Sequence, residues 1–251
     1  MSVQMDIIQQ KGRALNGHSR PAVLPFINPA TGEQFGQVPL TPPAVVQDAR
    51  REMGAAALDW AAKSVKERVA VVRQLQQLII DELDDITAVM NQDNGKSRQD
   101  ALTEVFMTVD LIDQYCRNAP KWLQRQRIST GLQIFKRAYQ EPKPYGVVGI
   151  IGPWNYPLVL MIPPIVSALL AGNTVVAKPS EVTAATGVMI EALFERVPGL
   201  APYVRFLHGD GRVGAALVQS EPDLIFLTGS TKTGRLVMQA AAENMTPVIC
   251  E

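Results

Sequence analysis

Residues 144–177 contain no charged side chain and no histidine, and this run most restricts how the chain can fold. It is long enough to cross a bilayer as one helix. However, Gly146, Gly149, Gly152 and Gly172, with Pro153, Pro157, Pro163 and Pro164, divide it into short pieces. Proline inside a helix removes a hydrogen bond and clashes with the preceding turn. The run therefore reads as a buried strand, a turn, a buried helix and a second buried strand, with no membrane partner. The turn, Gly152-Pro153-Trp154-Asn155-Tyr156-Pro157, presents one amide side chain, Asn155, on which a ligand could converge.

The same rhythm continues to the end of the sequence. Apolar strands at 146–151, 174–177, 204–207, 224–227 and 247–250 alternate with helical patterns at 158–171, 183–196, 211–219 and 231–243. Short apolar strands separated by helices predict an α/β fold, a doubly wound, Rossmann-like parallel sheet. Ligands bind such sheets outside the carboxyl ends of the strands. Asn155, Lys178, Gly209, Gly229 and Glu251 all fall at or just past those ends.

The first part of the chain is mainly helical. Asn28-Pro29-Ala30-Thr31-Gly32-Glu33 is a turn signal inside a small hairpin at 26–39. Pro42 opens a helix over 44–62. A second helix over 65–90 gathers Val69, Val72, Leu75, Leu78, Ile79, Leu83 and Ile86 on one face. Asn94-Gly95 stops it, Ser97 caps the next, and Leu102, Val105, Phe106, Val109 and Ile112 form that third helix's apolar stripe. From Leu132 the pattern changes to alternation, which predicts an exposed hairpin. It serves either as an oligomerisation ribbon or as a flap on its own domain. The expected division is 1–131 helical, 132–145 hairpin and 146–251 sheet.

Lysine and arginine number 24 and are balanced by 24 aspartates and glutamates, which provides no attraction for nucleic acid. Two cysteines, Cys116 and Cys250, argue against a disulfide scaffold or a cysteine metal site, and no metal is expected. Residues 1–20 are polar and lack a signal peptide's apolar core, which points to the cytoplasm. His18 and His208 read as loop histidines.

Two glycine loops compete for a phosphate. Gly209-Asp210-Gly211-Arg212-Val213-Gly214 has dinucleotide-loop spacing between a strand and a helix, but Asp210 brings a negative charge. Gly229-Ser230-Thr231-Lys232-Thr233-Gly234 offers a close-approach glycine, a hydroxyl and free helix-start amides. Either is equally a capped strand-to-helix turn. In Lys178-Pro179-Ser180-Glu181, lysine and glutamate can hydrogen-bond ribose hydroxyls, or simply start a helix on a solvated loop.

Taken in order, these pieces resemble the aldehyde dehydrogenase superfamily. The matching stretches are Gly152-Pro153-Trp154-Asn155-Tyr156-Pro157, Ala171-Gly172-Asn173-Thr174-Val175-Val176-Ala177-Lys178-Pro179-Ser180-Glu181, Phe226-Leu227-Thr228-Gly229-Ser230 and Thr246-Pro247-Val248-Ile249-Cys250-Glu251. Tyr-Pro after Asn155 is most similar to the class 3 and coniferyl-aldehyde branch. The resemblance implies oxidation of an aldehyde, aromatic and coniferyl-like in that branch, to an acid with NAD or NADP, in a homo-oligomer. It makes Asn155 the amide that holds the oxyanion and Glu251 the base that activates water. Ile151 and Trp154 would line the cofactor. Lys178 and Glu181, within a turn that includes Ser180, would bind the adenosine ribose, with Glu181 favouring NAD. Gly209 would lie beside the adenine, and Gly229 with Ser230 would meet the pyrophosphate.

The family nucleophile is a cysteine beyond this glutamate, in a second α/β domain that the 251 residues do not reach, and Cys116 and Cys250 are expected to be structural. The chain thus resembles a cofactor-binding part. The alternative expectation is a catalytically inactive truncated fragment, serving at most as a nucleotide-binding or interaction module.

Overall fold

Asn28 accepts the Ala30 amide on its side chain (2.9 Å) and Gly32 takes a φ of 72°, folding β1 (Val23–Ile27) back onto β2 (Gln34–Pro39) as the turn signal predicts. The computed structural model describes residues 22–251; the polar stretch 1–20 and His18 lie outside the described residues.

Four helices follow. They are α1 (Pro43–Ala62), α2 (Val65–Asp81), α3 (Leu83–Asn94) and α4 (Arg98–Trp122). Ser64 and Glu67 form a reciprocal capping box at the start of α2, and Gly95, with φ 78°, ends α3. The helix predicted over 65–90 is two helices, broken at Glu82 (φ −98°, ψ 13°). There the Glu82 carboxylate accepts from Arg196 (2.7 Å), a tertiary pairing that local periodicity does not encode. The buried stripe of α4 also differs from the predicted one. Ala101, Glu104, Val105, Thr108 and Ile112 face inward, whereas Phe106 is 60% exposed. Two polar residues occupy the stripe because both are bonded inside it, Thr108 donating to the Glu104 carbonyl (2.9 Å).

The predicted hairpin starts earlier and is mostly turn. β3 (Gln126–Ile128) pairs antiparallel with β4 (Ala138–Gln140), and residues between them close on themselves through Gln133 donating to Thr130 and Lys136 donating to Gln133. Leu132, Ile134 and Phe135 at its tip are 98%, 86% and 82% exposed.

The uncharged run becomes β5 (Val147–Ile151), a loop, α5 (Ile162–Leu170) and β6 (Thr174–Lys178). Then come α6 (Ala184–Glu195), β7 (Val204–Phe206), α7 (Gly211–Gln219), β8 (Leu224–Leu227), α8 (Thr231–Ala242) and β9 (Val248–Cys250). The five strands are parallel in the order β7-β6-β5-β8-β9. Helices cover both faces, which explains the run's lack of charge. Val148, Ile150, Val175 and Ala177 join the main core with α2 to α6. Their neighbours Val147 and Val176 pack with Val46, Ala49 and Met53 of α1 and with Val213 and Leu217 of α7. Ile225 and Leu227 meet Val237 and Ala241 of α8. Each buried valine, leucine, isoleucine or methionine among them contributes roughly 1.5–3 kcal/mol by leaving water, and each alanine less. Among the described residues, no helix is long and apolar enough to cross a membrane.

Candidate functional site

The strand order diverges at β5, whose neighbours β6 and β8 lead to opposite edges, and a crevice opens above that point as the rule for such sheets requires. Thr228 donates its amide to the Ile151 carbonyl (3.1 Å), so the ends of β5 and β8 are joined at the crevice floor. The cleft measures about 660 Å³, within the usual size of a small-molecule site.

Each strand end supplies one part of it. After β5, Gly152 donates to the Lys178 carbonyl (3.2 Å), and a Cβ at Gly152 would lie 2.7 Å from Met161 Cε, so glycine permits this close passage. Pro153, Trp154 and Asn155 follow on the wall. After β6, Lys178 is 4% exposed and its Nζ lies 2.6 Å from Glu181 Oε2. The Ser180 hydroxyl accepts the Val182 amide (3.2 Å) and shapes the short turn Glu181–Thr183 without lining the cleft.

Directly behind this turn, Asp93 of α3 accepts both the Thr186 amide (2.7 Å) and hydroxyl (2.8 Å) at the start of α6. Burial pushes its carboxyl up to about 6, against the lowering effect of the Thr186 and Ala185 hydrogen bonds.

The two competing glycine loops line one cleft. From the first come Gly211, Gly214, Ala215 and Val218, one stripe of α7; from the second come Gly229 and Ser230, then Thr233, Leu236, Val237 and Ala240 along α8. Gly209 sits behind this wall, where a Cβ would lie 2.3 Å from Val213 Cγ2. Asp210 caps α7, accepting the Arg212 amide (2.9 Å) and ion-pairing with its guanidinium (2.8 Å), and Arg212 holds the carboxyl below its usual range. The N-terminus of α7 is thus already occupied by a carboxylate. That of α8 is capped only by the neutral Ser230 hydroxyl, which accepts the Thr233 amide (3.1 Å), so the amides of Thr231 and Lys232 remain as free helix-start donors. Beside them Thr228 Oγ1 is buried with no hydrogen-bond partner.

Glu251 lies past β9 outside the lining, exposed but held in register: its amide donates to Leu227 (2.9 Å) and its carbonyl accepts from Gly229 (3.0 Å). Tyr115 of α4 is near enough that burial, and secondarily the Glu251 charge, push its phenol up. Cys116 is buried on α4 and Cys250 is exposed; neither lines the cleft. His208, expected in a loop without a partner, is 7% exposed with Nε2 3.0 Å from Glu191 Oε2. Among the described residues no cluster could hold a metal ion.

The aldehyde dehydrogenase family pattern matches residues 16–251. The chain belongs to this family. It is 39% identical over 228 residues to a 4,4'-diapolycopene aldehyde oxidase of Methylomonas sp, covering 90% of this chain and 43% of that protein. The class 3 and coniferyl resemblance holds. Aldehyde dehydrogenase family 3 member A2 of Macaca fascicularis is 34% identical (77% of this chain, 40% of that protein), and a probable coniferyl aldehyde dehydrogenase of Pseudomonas aeruginosa 36% (74% and 39%). Among solved structures, an E. coli NADP dependent enzyme superposes with a TM-score of 0.87 at 27% identity (98% of this chain, 52% of that one). An NAD-dependent benzaldehyde dehydrogenase of Corynebacterium glutamicum gives 0.84 at 28% (91% and 50%). The chain therefore spans about half the length of the family members it matches or less.

Within this family member, Ile151, Trp154, Asn155, Lys178, Glu181, Gly229 and Ser230 share the cleft, whereas Ser180, Gly209 and Glu251 stand outside it. Sequence reasoning missed the stripes on α7 and α8. Their signal was present as small or apolar residues at i, i+3, i+4 and i+7 in both helices.

Proposed function

We propose that this chain is the cofactor-binding part of an NAD(P)-dependent aldehyde dehydrogenase, with NAD as the preferred cofactor. The observation that carries this reading is the start of α8, where Gly229 and Ser230 line the cleft and the helix-start amides have only the neutral Ser230 hydroxyl as a cap. That donor set suits a diphosphate. The residues fit the rest of a dinucleotide too: the Lys178 and Glu181 pair offers a donor and an acceptor for ribose hydroxyls, and α7 and α8 form apolar walls of the kind an adenine ring requires. Glu181 would repel a 2′-phosphate, which favours NAD. When bound, the nicotinamide serves as hydride acceptor.

The roles of this chain's own residues follow from that placement. Asn155 is exposed at the cleft, and no described residue hydrogen-bonds its side chain, so the amide is available to a developing oxyanion. Glu251 is the candidate water-activating base. The substrate is an aldehyde, aromatic in keeping with the coniferyl relative, and the working enzyme is a homo-oligomer in the cytoplasm. A second reading, nucleotide binding without aldehyde oxidation by this chain, is favoured by the position of its two thiols outside the cleft.

Calorimetric titration with NAD and NADP tests the cofactor role. Saturable NAD binding is expected, and Glu181→Ala should weaken it roughly tenfold, about 1.4 kcal/mol, while NADP is affected less. No NAD binding by the unsubstituted chain, or none lost in the variant, overturns the reading. Aldehyde-dependent formation of the reduced cofactor by this chain alone separates the two readings, since the second predicts none.

A further inference from the structure

The loop from Gly152 to Leu160 carries Asn155 and winds into a first turn at Tyr156, whose carbonyl accepts from Leu160 (3.1 Å), before Ile162 donates to Leu158 (2.9 Å). The two amides that lead this turn, Leu158 and Val159, both donate to Glu104 Oε1 of α4, at 2.8 and 3.1 Å. Glu104 is fully buried, 54 residues away in sequence, and its other oxygen meets Lys96 Nζ at 2.5 Å. Lys96 in turn lies 3.9 Å from the centre of the Tyr156 ring. On the near side of Asn155, Asn94 Nδ2 donates to the Trp154 carbonyl (2.7 Å). The residues flanking Asn155 on both sides are thus fixed by α4, by Asn94 at the end of α3 and by Lys96 in the turn after it, while the Asn155 side chain itself is left to the cleft. A buried carboxylate is costly unless paired and fully bonded, and here one oxygen bonds this loop and the other the Lys96 ammonium.

We propose that Glu104 is the positioning residue of the Asn155 loop: its carboxylate, charge-balanced by Lys96, holds the Leu158 and Val159 amides and thereby sets where the Asn155 amide points. This rests on the proposed role of Asn155 as an oxyanion donor. Glu104→Gln keeps the shape and one acceptor oxygen, but turns an amide nitrogen toward the Lys96 ammonium, so the loop loses its charge-assisted bonds.

Hydrogen exchange of the 251-residue chain tests the proposal. In Glu104→Gln the Leu158 and Val159 amides should exchange at least tenfold faster, with Val148 and Val175 in the sheet unchanged within about twofold. The Asn155 side-chain amide resonance, identified by its loss in Asn155→Asp, should shift and broaden in Glu104→Gln. Adding Lys96→Met should restore both signals in part, because it removes the uncompensated ammonium. Unchanged exchange at the two amides, acceleration spread equally over the sheet, or an unmoved Asn155 resonance would each overturn it. Failure of NAD binding by the unsubstituted chain would sink the proposed cofactor role yet leave these readouts intact, so the two ideas fail separately.

Discussion

Asp93 is 3% exposed, and burial raises its carboxyl to about 6, whereas an unfolded chain would titrate it near 3.8. The native state therefore holds this proton more tightly. The stability it contributes is complete below about pH 4 and is lost as pH rises through 6, on the order of 3 kcal/mol. Asp93→Asn keeps an oxygen for Thr186 but cannot titrate. Urea unfolding at pH 5 and pH 8 should show the variant gaining on the unsubstituted chain by about 1.4 kcal/mol at the higher pH; a constant difference would refute the assignment. Neither Asp93 nor Glu104 could be read from sequence as important. Their partners lie 93 and 54 residues away, and a carboxylate in an amphipathic helix reads as solvated. By contrast Asn155, Lys178, Glu181, Gly229 and Ser230 could be placed at one rim because each lies at or just past the end of a strand whose apolar run is visible, although Gly209 and Glu251, placed there on the same ground, stand outside the cleft.

At the level of elements, α7 and α8 converge on one cleft although their preceding loops looked like rivals for one phosphate. Small residues on α7 leave the room: a Cβ at Gly214 would find only Lys178 Cδ, at 4.0 Å. Gly214→Val should therefore leave thermal stability almost unchanged, as valine is the better helix former by a few tenths of a kcal/mol, yet cut NAD affinity at least tenfold by filling the wall. Equal losses of stability and binding would mean that Gly214 serves packing alone. The strand and helix alternation after residue 146 was legible to within a few residues, since β5, β6 and β8 are apolar runs and α7 and α8 start at side-chain caps; the helix expected from 158 starts only at Ile162. The break at Glu82 was not, because nothing local marks it and the partner of the Glu82 carboxylate, Arg196, lies 114 residues away. Likewise the alternation at 133–140 predicted more strand than forms; a ribbon this exposed has only the three residues of β3 to pair with.

For the whole molecule, the tip residues Leu132, Ile134 and Phe135 leave three large apolar side chains in water on one turn. A homo-oligomer built through it should dissociate when all three are replaced by serine, seen as a lower sedimentation coefficient at equal concentration. A monomeric unsubstituted chain would remove this role. The sheet also orders events in time. Val46, Ala49 and Met53 of α1 pack on Val147, Val176, Leu207 and Leu217, and Thr174 Oγ1 donates to the Met53 carbonyl across 121 positions. During synthesis α1 is thus made long before the surface that covers it. It leaves the ribosome with a bare apolar stripe and waits for nearly half of the chain before β6 emerges, an interval in which only α2 to α4 can give it transient cover from within the chain.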